Sequence, residues 1–227
     1  MPFQDRNFSK PIYEETGKEP KKVVIISCEG CNTEPEYFSS IVDKLSENVK
    51  NLVEIEIVEK LDNSSDPNNV LRNLENHIEE KFDFKNGTDI LWLVIDRESV
   101  DSRKKAIEDI LPVCHTKGYS IALSNPLFEF WLLLHVCDIS KYKKEDLHNN
   151  EWVTEARNRR FIDKQLSEIL DNGFNKKSGR FNQEIISVEN IKRAIAQEQQ
   201  FCSTLPNLLD ELGTNVSILI NDILDLE

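Results

Sequence analysis

Residues 90–100 read "ILWLVIDRESV". Ile90 to Ile95 are apolar without interruption, and Asp96, Arg97 and Glu98 follow with no spacer. A short apolar run rich in branched and aromatic residues predicts a strand buried on both faces. Strands of that kind belong to parallel sheets with a helix layer on each side. The abrupt change at Asp96 places two carboxylates and an arginine at the strand's C-terminal end.

Working outward, two patterns alternate. "KVVIISC" (22–28) is a second buried strand, and "TEPEYFSSIVDKLS" (33–46) is a helix with Phe38, Ile41, Val42 and Leu45 on one face. Thr33 and Glu36 stand at capping-box spacing. "LVEIEIVEK" (52–60) alternates Val53, Ile55 and Ile57 with Glu54 and Glu56, as a half-exposed strand at a sheet edge does. Asp66 and Pro67 open a helix whose stripe is Val70, Leu71, Leu74 and Ile78. After "DILWLVI" comes a helix, kinked or ended near Pro112 and stopped at Gly118; then a strand, "YSIALS" (119–124), and a helix after Pro126. Strand and helix thus alternate four times. The expected fold is α/β: a mostly parallel sheet flanked by helices, with every strand C-terminus on one edge. Residues 1–20, with three prolines, read as an arm. The core is expected over 21–139. Residues 140–227, with helices near 157–170, 187–202 and 215–226, are expected to form a helical portion packed on it.

The bulk numbers exclude several classes. The chain has 227 residues, long enough to bury a sizeable core. No stretch approaches a membrane span, and the polar start lacks a secretory h-region, so a cytoplasmic protein with no membrane association is expected. Five cysteines, an odd number, fit reduced thiols better than a disulfide framework. Cys28 and Cys31 form a C-x-x-C with no second ligand pair at zinc spacing. The net charge of −13 gives no long-range attraction to nucleic acid. Basic patches remain in "RNRRF" (157–161) and "KKSGR" (176–180), and Arg157, Arg159 and Arg160 are candidates for phosphate contact.

The chemistry gathers where strands end. Glu29 follows the first strand, Asp96 and Glu98 the third, and Asn125 the fourth, with Glu129 one helical turn on. In an open parallel sheet these groups meet at the edge where such folds carry their sites. Two carboxylates one residue apart suit a hard divalent cation such as Mg2+ or Mn2+, which can polarise a phosphoryl oxygen or orient water. Glu29 can complete the site or act as general acid/base. Arg97 can hold a phosphate or pair with an acid. Each residue also has a plain structural reading: a strand end returning to water for Asp96 and Glu98, a turn for Glu29-Gly30, a packed side chain for His135. Glu129, in an apolar helix, needs a partner.

"VVIISCEGCNTEPEYF" (23–38), "LWLVIDRES" (91–99), "SNPLFEFWLLLH" (124–135) and "LGTNVSILINDIL" (212–224) together resemble the RloB family, which has a Toprim-like domain. The resemblance covers about residues 21–226. It implies Glu29 as general acid/base and Asp96 with Glu98 as magnesium ligands, Glu98 standing where Toprim domains have a second Asp. It aligns Asn125, Glu129 and His135 with the family's third motif, as substrate-binding candidates. It implies a Mg2+-dependent (or Mn2+-dependent) nuclease cutting DNA or RNA, transfer RNA included. The setting it implies is bacterial phage defence, beside an ABC/AAA-type ATPase. A rival reading is a catalytically inactive Toprim-like regulatory subunit of that ATPase. A topoisomerase- or primase-like enzyme would need a further domain. Whether the chain forms a homo-oligomer is left open.

Overall fold

A computed structural model describes residues 22–50, 53–60, 66–81, 88–153 and 159–226. The expected arm over 1–20, and Arg157, lie outside the described residues. Four parallel strands carry the fold: β1 (Lys22–Cys28), β2 (Val53–Ile57), β3 (Ile90–Asp96) and β4 (Ser120–Asn125). Their order is β2-β1-β3-β4, so the three apolar strands are neighbours and the Glu-rich β2 takes the edge. Between them run α1 (Thr33–Lys44), α2 (Pro67–Lys81) and α3 (Asp101–Lys117).

Side chains alternate across a strand, and this splits the core in two. Val24, Ile26, Trp92, Val94 and Ala122 face one way and pack with Tyr37, Phe38 and Ile41 of α1. Val23, Ile25, Leu91, Leu93, Ile95 and Leu123 face the other way, toward Leu74 of α2 and Ile107, Ile110 and Cys114 of α3. The first layer is thickened by α4 (Phe128–Val136), α6 (Phe161–Ile169), α7 (Val188–Glu198) and α8 (Val216–Ile223). Every residue from Phe128 to His135 is buried, as expected of a helix that is apolar all round. α4 lies against α6 and α7, so the second half of the chain covers what the first half exposes.

Local differences from the expected elements have physical reasons. α3 runs through Pro112 to Gly118, which takes φ 73° at the C-cap. Ile110 and Cys114, on either side of the proline, are buried, and their packing offsets the missing hydrogen bond. The capping box at Thr33 does not form: Asn32 holds the cap position and Thr33 is already helical. The Glu36 carboxylate instead accepts hydrogen bonds from Gly179 N (2.6 Å) and Phe181 N (3.0 Å), loop groups that need acceptors. Asp66 does cap α2, accepting from Asn68 N at 2.9 Å. The helices of the second half are shorter than their expected ranges. Between α4 and α6 stand α5 (Lys144–Asn149) and a two-stranded ribbon, β5 (Trp152–Val153) with β6 (Arg159–Arg160).

A further strand, β7 (Gly213–Thr214), pairs antiparallel with β4. It is extended by a side chain: Asn215 Oδ1 accepts from Leu123 N (2.7 Å), and its Nδ2 donates to Ile121 O (2.9 Å). Gly213 is required because a Cβ there would run into the Cys202 carbonyl.

Candidate functional site

Strand parity decides which side chains meet. Asp96 continues the Trp92–Val94 face and points toward the first turns of α1 and α4. Its Oδ1 accepts from Phe128 N at 2.8 Å, at the start of α4. Glu129, one residue on, is buried beside it. Glu29 leaves β1 at the same edge, and its Oε2 accepts from Asp96 N at 3.0 Å. Glu98 takes φ 47°, so the chain turns and its half-buried side chain comes back to the cleft rather than continuing the strand. Glu29, Asp96, Glu98 and Glu129 thus line one open cleft of about 320 Å³, together with Gly30, Glu34, Arg160 and Lys176.

Three residues singled out in the sequence do not join them. Arg97 has the opposite parity. It is buried under the 208–209 turn, where Nε donates to Leu209 O (2.7 Å) and Nη1 to the carbonyls of Glu98 (2.5 Å) and Val100 (3.2 Å). Its fork is spent on backbone oxygens rather than on a phosphate or a carboxylate. Asn125 follows Arg97 to that side and donates to Leu208 O at 2.9 Å. Both border a separate hollow. His135 is fully buried. Trp131 Nε1 donates to the Tyr37 hydroxyl (2.9 Å), the hydroxyl meets His135 Nε2 (3.1 Å), and His135 Nδ1 meets Trp131 O (2.8 Å). Every partner in that ring is satisfied by a neutral imidazole. Burial pushes the His135 pKa down to about 4.

Two site residues, Glu34 and Arg103, carried no sequence signal, and Lys176 and Arg160 are drawn from the two basic patches. Glu34, on the first turn of α1, accepts from Gly30 N at 3.2 Å, and a Cβ at Gly30 would collide with its carboxylate. Burial, and then the charge of Glu129, raise the Glu34 carboxyl to about 7. Burial likewise raises Asp96 well above the usual carboxylate range, with Glu34 and Glu129 adding to it. Arg103, from α3, ion-pairs with Glu29 and donates through Nε to Asp96 O at 3.0 Å. Its own pKa is pushed down to about 10 by burial. Lys176 arrives from the second half of the chain and lies 3.0 Å from Glu129 Oε1 and 3.1 Å from Asp163 Oδ1. Burial alone would lower its pKa, but the two carboxylates outweigh that and raise it. Arg160 reaches the rim, whereas Arg159 bonds Ser167 Oγ and Phe174 O.

The donor chemistry fits a hard divalent cation: carboxylate oxygens crowd one cleft, and their mutual repulsion, second to burial in raising Glu34 and Asp96, is relieved by positive charge. Lys176 supplies part of that charge. Among the described residues, no three His, Cys, Asp or Glu side chains converge as a ready-made metal cluster. The C-x-x-C is no alternative, since Cys28 is buried in the core and Cys31 is exposed. Among the described residues, no helix is long and apolar enough to cross a membrane.

In comparisons with known proteins, no curated protein and no solved structure matched. One family model did match, that of the RloB-like protein, over residues 24–223. The match spans β1 through α8, taking in both the cleft carboxylates and Lys176, and the chain therefore belongs to the RloB-like protein family.

Proposed function

We propose that the chain is a divalent-cation-dependent phosphodiesterase of Toprim-like type, cutting DNA or RNA. The observation that carries this reading is the crowding of Glu34, Asp96 and Glu129 in one cleft, where burial first, and then their mutual charge, raises the first two above the ordinary carboxylate range. Asp96, Glu98 and Glu129 would hold a Mg2+ or Mn2+ ion, which when bound polarises a phosphoryl oxygen. Glu29, held by Asp96 N and Arg103, braces the strand ends. Glu34, at about 7, is poised to move a proton at neutral pH. Lys176 and Arg160 face the cleft as cations for a phosphate. In this reading the chain is a defence effector governed by an ABC/AAA-type ATPase.

The test is cleavage of single- and double-stranded DNA and RNA in Mg2+ or Mn2+, with cation binding followed by calorimetry. Asp96→Ala should abolish cleavage and weaken cation binding while the thermal melt stays cooperative. Full activity in that variant would sink the assignment. The rival, an inactive regulatory subunit, draws support from Lys176 already standing against Glu129 and Asp163. It predicts no cation binding by the wild type and no cleavage, with or without the ATPase.

A further inference from the structure

Trp152 stands out because it is exposed where the other two tryptophans are not: 61% of its surface is open, against 3% for Trp92 and none for Trp131. It lies on β5 directly opposite Arg160 of β6. The Arg160 guanidinium carbon sits 4.9 Å from the indole centroid, within cation–π range. Arg160 also donates to Asn150 O at 3.4 Å and borders the carboxylate cleft. A large flat side chain, open to solvent, is therefore held against a cation that itself lines that cleft.

The charge of the molecule says what such a surface is for. At −13, the chain has no general electrostatic grip on a polyanion. A nucleic acid held near the cleft needs a contact that does not depend on net charge, and stacking of a base on an aromatic face supplies one. Paired bases keep their faces covered by their neighbours, so only an unpaired base can use it. We propose that Trp152 and Arg160 form a stacking platform for an unpaired nucleobase, with the indole taking the base and the guanidinium the adjoining phosphate. The substrate class is then single-stranded nucleic acid, or a single-stranded segment within a larger one. This deepens the phosphodiesterase reading and rests on it for its purpose, but its test does not require cleavage.

The experiment uses the full chain in EDTA and fluorescein-labelled oligothymidylate and oligouridylate of about 12 nucleotides, with matched duplexes as controls. Wild type should bind the single strands in preference to the duplexes and lose part of its tryptophan emission. That loss should come from Trp152, the exposed indole. Trp152→Ala should weaken single-strand binding about tenfold, Trp152→Phe should keep most of it, and Arg160→Ala should weaken it while leaving the circular dichroism spectrum unchanged. If Trp152→Ala binds as wild type does, the proposal is overturned. If wild type binds no single strand, or binds duplex equally well, it is overturned too. If binding depends on Trp152 but no cation yields cleavage, the platform stands and the phosphodiesterase reading is what has failed.

Discussion

A single step along the chain separates Asp96, which enters the cleft, from Arg97, which is buried against carbonyls on the opposite face. The same logic of small displacements governs the cations. Lys176 ion-pairs with Glu129, and Glu129 is buried. Lys176→Met would leave Glu129 and Asp163 facing each other without it. A fully buried pair broken in this way costs about 3–5 kcal/mol; with the Lys176 side chain 42% exposed, about 1–2 kcal/mol is expected after allowing for solvent screening. Urea midpoints should show that loss at pH 7, shrinking at pH 5 as the raised carboxyls take up protons, and millimolar Mg2+ should recover part of it. An unchanged midpoint at pH 7 would mean that the ion pairs contribute nothing. Glu29 and Asp96 were legible because each directly follows an apolar strand run that ends at a known edge, and Glu98 and Glu129 because they stand two and four residues beyond such a strand end. Glu34 was hidden inside an apparent capping motif. Arg103 and Lys176 meet the site from α3 and from a distant loop, which no local pattern reports.

At the scale of elements, the joint between α7 and α8 shows how a buried acid can hold two helices together. Glu198 accepts from Ser217 Oγ (2.6 Å) and Ser217 N (3.2 Å), the first turn of α8. Burial raises its carboxyl to about 7, above the ordinary 4.5. The folded state therefore holds this proton more tightly than the unfolded chain. Its contribution is fully present below pH 4.5 and is lost as pH rises through about 7. At about 1.4 kcal/mol per pKa unit, the span is on the order of 3 kcal/mol. Glu198→Gln, which stays neutral, should flatten the fall in stability between those pH values, as read from denaturant curves. A slope identical to that of wild type would refute the role. β1, β3 and β4 were legible from their apolar runs, and β2 from its alternation. β7 was not. Two residues have no periodicity, and its pairing is completed by an Asn side chain standing in for backbone.

Across the whole molecule, the two halves share one core. α4 lies between the sheet on one side and α6 and α7 on the other, with Phe130, Trp131 and Leu132 to Leu134 fully buried. A fragment ending at residue 139 would open that helix to water, forfeiting several buried side chains at about 2 kcal/mol each. It should aggregate or bind hydrophobic dye, and show no cooperative melt. A monomeric fragment that unfolds cooperatively would overturn this. Lys176 belongs to the same division of labour, and its place in the chain has a consequence for how the protein is made. On the ribosome, Glu129 emerges well before Lys176, the cation it pairs with. Until the loop tied by Glu36 has been synthesised, a nascent chain carries the acids of the site without the lysine that balances them. Completion of the cleft is thereby postponed until the chain has been made beyond residue 176.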